Sequence, residues 1–125
     1  MILGIGTDIT EVARIRSSLE RFGDSFLQRI LRPNEIAYCR TFQDPTQYVA
    51  ARFAAKEAIS KAFGTGIGAQ LGWHDLEVCR KDSGEPFVIL HEGGQRLFAS
   101  RKALQLLITL SHTHNYATAV AILEG

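Results

Sequence analysis

Residues 52–68, RFAAKEAISKAFGTGIG, restrict the fold more than any other stretch of the chain. The first part is rich in alanine and reads as a helix made to be buried. Asp44 and Pro45 supply its start: the carboxylate caps, and proline sits where a missing N–H costs nothing. The spacing predicts one long helix ending near Phe63, stopped by three glycines in the next five residues. Yet this helix carries Arg52, Lys56, Glu57 and Lys61. Charges on a helix meant for a core require a reason.

A second constraint lies at the start of the chain. Residues 2–9, ILGIGTDI, alternate as a strand. Leu3, Ile5, Thr7 and Ile9 share one face. Gly4, Gly6 and Asp8 share the other, a bare strip of backbone leading to a carboxylate. A helix is expected over residues 11–22, with Val12, Ile15, Leu19 and Phe22 as its buried stripe and Gly23 as its stop. Short helices are expected over 25–31, capped by Asp24, and after Pro33. Strands are expected over 76–80 and 87–91, joined by a turn at Asp82, Ser83 and Gly84. Gly93 and Gly94 end the second of these, and a helix is expected over 95–102. Two more strands, 104–110 and 116–123, flank the polar turn SHTHN.

That order predicts a single α+β domain over residues 1–125, a long helix packed on a largely antiparallel sheet. LQLLITL, within the 104–110 strand, is apolar on both faces. One helix layer covers one face, so the other calls for a subunit interface or a second cover.

Charge and cysteine content narrow the function classes. The formal net charge is +1, which argues for neither nucleic-acid binding nor attraction to a membrane surface. The two cysteines, Cys39 and Cys79, are isolated and make no disulfide framework. No signal-peptide pattern precedes the first strand, and no apolar run is long enough to span a bilayer. A cytoplasmic protein is the expectation.

Glu57 and Lys61 are one helical turn apart, with Phe53 and Val49 near the same face. Three readings compete. In the plainest, the two residues form an ordinary helix pair, Asp8 caps the following helix and the glycines form a turn, as in a non-catalytic binding module. In the second, Asp8 and Glu57 hold a hard cation for a metal-dependent nucleotide pyrophosphatase. In the third, the same groups serve a phosphoryl-group transfer. The GTGIG loop exposes backbone N–H groups as phosphate loops do, but it follows the helix, whose C-terminal end is negative. A phosphate there would be held by Lys61, the cation and local backbone donors. His112 and His114 form an H-x-H pair without a third ligand nearby, a weak zinc pattern. No Gly-x-Ser-x-Gly elbow or paired cysteine and histidine supports a protein nucleophile.

GIGTDI near the start, RFAAKEA and SKAFGTGIG in the middle, and SHT before the last strand together resemble the small bacterial 4′-phosphopantetheinyl transferases, the holo-acyl-carrier-protein synthase family. The motifs stand in the family's order and span nearly the whole chain. The resemblance implies that coenzyme A is the donor substrate and an apo acyl carrier protein the acceptor. It also implies Mg²⁺ as cofactor, adenosine 3′,5′-bisphosphate as product, and homotrimers with active sites between subunits. Asp8 and Glu57 match the metal ligands, and with Lys61, beside the pyrophosphate, they form the catalytic set. Gly64, Thr65 and Gly66 match the loop near the phosphates. Arg52, His112 and Thr113 match positions at the 3′-phosphate and adenosine end. Arg14 matches a carrier-docking position, and Arg21, seven residues on, shares its face. The family's hairpin often reads Gly-Lys-Pro, whereas this chain has Gly84, Glu85 and Pro86. No contact is expected from Glu85.

Overall fold

The computed structural model describes residues 1–125. β1 (Ile2–Glu11) leads into α1 (Val12–Phe22), α2 (Asp24–Ile30), α3 (Pro33–Cys39) and the long α4 (Thr46–Phe63). A 3₁₀ turn (Trp73–Asp75) precedes β2 (Leu76–Arg80) and β3 (Pro86–Leu90). Then come α5 (Glu92–Ser100), β4 (Gln105–His112) and β5 (Tyr116–Glu124). All strand pairs are antiparallel. β1, β5 and β4 form one sheet in that order, and β2 with β3 forms a second, two-stranded sheet. The α+β architecture expected from the sequence is the one found, with the antiparallel strands divided between two sheets.

α4 lies across the inner face of the three-stranded sheet and organises two apolar clusters. Val49, Ala50 and Ala51 join Val12, Ile15, Leu27, Ile30 and Leu31 in a helical cluster. Residues from Ala54 to Phe63 join Ala119, Ala121 and Leu123 of β5 in a sheet cluster. A helix buried on nearly all sides needs small residues wherever backbone comes close. The glycine strip of β1 meets that need from the other side. A Cβ built on Gly4 would stand 1.9 Å from the carbonyl oxygen of Ala62, and one on Gly6 would stand 1.9 Å from that of Ala58. No side chain fits either gap, so strand and helix touch backbone to backbone.

Asp44 starts α4 as expected: its Oδ1 accepts the Thr46 N–H (3.1 Å) and the Thr46 hydroxyl (2.7 Å). At the far end Gly64 adopts the left-handed conformation, φ 81°, that favours glycine.

Four local expectations are corrected. β1 runs to Glu11, so α1 begins at Val12, and only Val12 and Ile15 of its predicted stripe are fully buried. Leu19 is half-buried and Phe22 is exposed under the guanidinium of Arg21, because the helix overhangs the core at that end. Asp24 does not cap α2; Gly23 occupies the cap position and the carboxylate pairs with Arg40 at 2.6 Å. Gly93 and Gly94 do not separate strand from helix but belong to α5. They are small because the start of α5 presses on Asp75, whose carbonyl oxygen would lie 2.8 Å from a Cβ on Gly94.

The outer face of the three-stranded sheet has no cover within the chain. Ile5 pairs with Ile122, and Ile122 with Leu107, in one row across it. Ile5 and Ile9 are each about two-thirds exposed. LQLLITL itself adds only Leu107 to this face, between Gln105 and Thr109, while Leu106, Ile108 and Leu110 pack inward. The expectation of two apolar faces on that strand is corrected, and β1 supplies most of the outer apolar surface.

Candidate active site

Asp8 reaches α4 because Gly4 and Gly6 let β1 lie directly on that helix. Its Oδ2 accepts the Thr10 hydroxyl at 2.7 Å, which fixes the carboxylate; it does not cap α1, whose N-terminus has no side-chain cap. Lys61, from the last turn of α4, donates to the Thr7 carbonyl (2.9 Å) and to Asp8 Oδ1 (3.3 Å). The helix pair between Glu57 and Lys61 is therefore not formed, and Lys61 pairs across to β1. Glu57 stands half-buried beside them. Burial is the main cause that lifts its carboxyl above the usual carboxylate range; the charge of Asp8 adds to this, and Lys61 opposes it.

Asp8 and Glu57 line a cleft of about 330 Å³ together with Thr10, Arg14, Ser18 and the apolar walls Ile15, Phe26 and Phe53. Phe53 sits one turn before Glu57 and stacks on Trp73, with ring centroids 5.0 Å apart. The cleft offers oxygen ligands and no thiol or imidazole. That donor set suits a hard divalent cation such as Mg²⁺. No group of three or more His, Cys, Asp or Glu side chains gathers anywhere in the chain. The H-x-H zinc pattern at His112 and His114 is thereby set aside. Glu11 also borders the cleft, but Asp8 and Glu57 are the two carboxylates beside Lys61, and two such ligands leave most positions around a hard cation to water and substrate phosphates.

The other predicted residues form a separate neighbourhood. Arg52 lies on a different side of α4 from Glu57, five residues away along the helix, and only 1% of it is exposed. Its guanidinium sits 4.2 Å over the ring of Tyr38, and its Nε and Nη1 groups are buried without a hydrogen-bond partner. Tyr38 packs edge-on to Tyr48, which packs edge-on to His112 at 5.1 Å. Arg52 and His112 thus border one aromatic cluster. Thr113 also supports the turn: its hydroxyl accepts the Tyr116 N–H at 3.2 Å and keeps its own proton to donate.

The GTGIG loop departs from expectation in one respect. The N–H of Gly64 donates to the Lys61 carbonyl, and those of Thr65 and Gly66 both donate to the Ser60 carbonyl. These donors close the helix and leave no free nest for a phosphate. What the loop offers is room, since a Cβ on Gly64, Gly66 or Gly68 would meet nothing within 4 Å. Arg14 opens onto the cleft, whereas Arg21 lies beyond it over Phe22.

Sequence reasoning did not single out Thr10 or Phe26. Thr10 follows Asp8 by two residues on the same strand face, a spacing that was available as a signal. Phe26 comes from a separate short helix, and nothing local points to it.

A model of the 4′-phosphopantetheinyl transferase superfamily matches residues 4–121. The holo-[acyl-carrier-protein] synthase of Koribacter versatilis is 46% identical over 124 residues, 99% of this chain and 99% of its own. The structure of the Helicobacter pylori holo-[acyl-carrier-protein] synthase in complex with coenzyme A superposes with a TM-score of 0.86 at 33% identity, covering 96% of this chain and 99% of that one. The Bacillus anthracis synthase in complex with CoA (3′,5′-ADP) gives a TM-score of 0.84 at 38% identity, covering 100% and 98%.

Proposed function

Because this chain belongs to the 4′-phosphopantetheinyl transferase superfamily, we propose that Asp8, Glu57 and Lys61 form the centre at which it works. There it moves 4′-phosphopantetheine from coenzyme A to a serine of an apo acyl carrier protein. Nearly full-length relatives that are holo-[acyl-carrier-protein] synthases support the transferase activity. The observation that carries the site assignment is the convergence of Asp8 and Glu57 in one cleft, with the ammonium of Lys61 held against Asp8.

Asp8 and Glu57 would hold Mg²⁺, which supplies positive charge to the pyrophosphate oxygens when bound. The serine oxygen attacks the β-phosphorus, and the bond from that phosphorus to the oxygen bridging it to the α-phosphorus breaks. The electron pair leaves with that oxygen on adenosine 3′,5′-bisphosphate. Such transfers depend on alignment and on stabilising spread negative charge. Lys61, held against β1 with half its side chain exposed, faces the leaving phosphate. Glu57, whose carboxyl is raised by burial and by Asp8, takes up the serine proton directly or through a water. Cysteine chemistry has no part in this: burial pushes the Cys39 thiol up to about 11.

The remaining assignments follow from the same reading. The pantetheine arm lies along Phe26 and Phe53. Arg52, whose unpartnered guanidinium groups lack an anion, serves the 3′-phosphate with His112 and Thr113, beside the open loop at Gly64, Thr65 and Gly66. Arg14 at the cleft mouth meets the acidic surface of the carrier, with Arg21 further along α1. The bare outer face of the sheet joins copies of the chain, three of them with sites between subunits. Free Cys39 and Cys79 accord with a cytoplasmic setting, and no helix is long and apolar enough to cross a membrane. Glu85 pairs with Lys81 at 2.8 Å, so the hairpin's glutamate is neutralised locally.

Mass spectrometry of an apo carrier incubated with the protein, coenzyme A and Mg²⁺ tests the reaction. A gain of one phosphopantetheinyl group on the carrier, lost on chelation of the metal, is the expected result. Hydrolysis of coenzyme A with the carrier unmodified would point to a pyrophosphatase instead.

A further inference from the structure

The interior holds an ion pair that the proposed chemistry does not use. Lys56 Nζ and Glu35 Oε1 meet at 2.7 Å, and neither side chain has any exposure. Lys56 Nζ also donates to the carbonyls of Ile30, at the end of α2 (2.7 Å), and of Trp73, in the 3₁₀ turn (3.0 Å). Glu35 Oε1 accepts the Arg32 N–H at the start of α3 (2.9 Å), and its Oε2 accepts the Val78 N–H of β2 (3.1 Å). α2, α3, α4, the 3₁₀ turn and β2 therefore converge on one pair of side chains.

Stability does not require such a pair. Replacing a buried ion pair by apolar groups of similar volume often leaves stability unchanged or raised, because desolvating the charges offsets their attraction. Burial indeed pushes the Lys56 ammonium below the usual lysine range, with Glu35 opposing it. What apolar side chains cannot supply is direction. Three acceptors must stand at set angles around one ammonium, and each comes from a different element.

Two of the tied elements lead to the walls of the cleft. Ile30 lies one turn after Phe26 on α2, and Phe26 lines the cleft. Trp73 stacks on Phe53, a second apolar residue lining the cleft, one turn before Glu57. Lys56 is the residue next to Glu57 in the chain.

We infer that Lys56 and Glu35 are positioning residues for the transfer reaction, holding Phe26 and Phe53 at the spacing the cleft needs beside Glu57. They act from behind the wall and touch no substrate. The inference rests on the cleft being the active site, so its test separates the two ideas.

Steady-state kinetics of three variants provide that test. Phe26→Ala, at the cleft itself, first shows which Michaelis constant reports on the cleft, that of coenzyme A or that of the carrier. The double variant Lys56→Met with Glu35→Gln removes both buried charges and leaves an amide oxygen to accept a backbone N–H. Trp73→Leu removes the stack on Phe53 but keeps the ion pair and the carbonyl, and decides the matter should the double variant fail to fold. Each folded variant is expected to raise the constant that Phe26→Ala raises by about tenfold, with the other constant within about twofold of the parent. If Phe26→Ala moves neither constant, the cleft assignment fails and the inference falls with it. If Phe26→Ala moves one and the folded Lys56, Glu35 and Trp73 variants leave it unchanged, or move both constants equally, the cleft stands and the inference is overturned.

Discussion

The ammonium of Lys61 donates to two oxygens of β1 while half of its side chain stays in solvent. It is anchored on one side and free to meet a phosphate on the other, the arrangement that aids a charged leaving group. Lys61→Met is expected to lower kcat about a hundredfold and to change the Michaelis constant for coenzyme A by much less. Steady-state kinetics check this, and a loss confined to that Michaelis constant would make Lys61 a binding residue only. Much at this scale was legible in the sequence. Asp8, Glu57 and Lys61 stand out as charges on faces that glycine and alanine otherwise leave bare. The partner of Lys61 was not legible, because spacing along α4 favours Glu57 and the competing Asp8 lies fifty-three residues away on another element. The buried pair of Glu35 and Lys56 was hidden for the same reason: twenty-one residues separate them, and neither carries a local signal of its partner.

β1 and α4 form the contact on which the site depends. At Gly6, as at Gly4, the two backbones leave no room for a side chain, with 1.9 Å between a Cβ there and the Ala58 carbonyl oxygen. Gly6→Ala would force β1 off the helix and carry Asp8 away from Glu57. A loss of stability on the order of 4 kcal/mol is expected, read by urea denaturation, with transfer lost in step. Unfolding at the parent midpoint would contradict the close contact. The periodicities of β1 and α4 were clear in the sequence, as were the stop at Gly64 and the β2–β3 hairpin. The glycines in the start of α5 misled because glycine more often ends a helix than lies within one. Here the closeness of Asp75 demands them, and that is visible only once the elements are packed.

Over the whole molecule, the three-stranded sheet buries its inner face under α4 and leaves Ile5, Ile9 and Leu107 on the outer one. LQLLITL places Gln105, Leu107 and Thr109 on its outer face, so that strand alone did not reveal the apolar patch that Ile5 and Ile9 complete, and nothing in the sequence counts the copies that would cover it. Leu107→Asp is expected to convert the proposed trimer to monomers, as read by sedimentation, with the native circular-dichroism spectrum kept. An unchanged sedimentation coefficient would place the interface elsewhere. The chain as a whole reads as a scaffold that brings a strand-borne carboxylate and a helix-borne one to the same end of a narrow cleft. The rate at which an apo acyl carrier protein gains phosphopantetheine, followed by mass spectrometry with Mg²⁺ and coenzyme A in excess, tests that account most directly. With Asp8→Asn and Glu57→Gln combined, the rate should fall by about a thousandfold or more and no longer respond to Mg²⁺. Transfer by the double variant at the parent rate, with the same metal dependence, would contradict it.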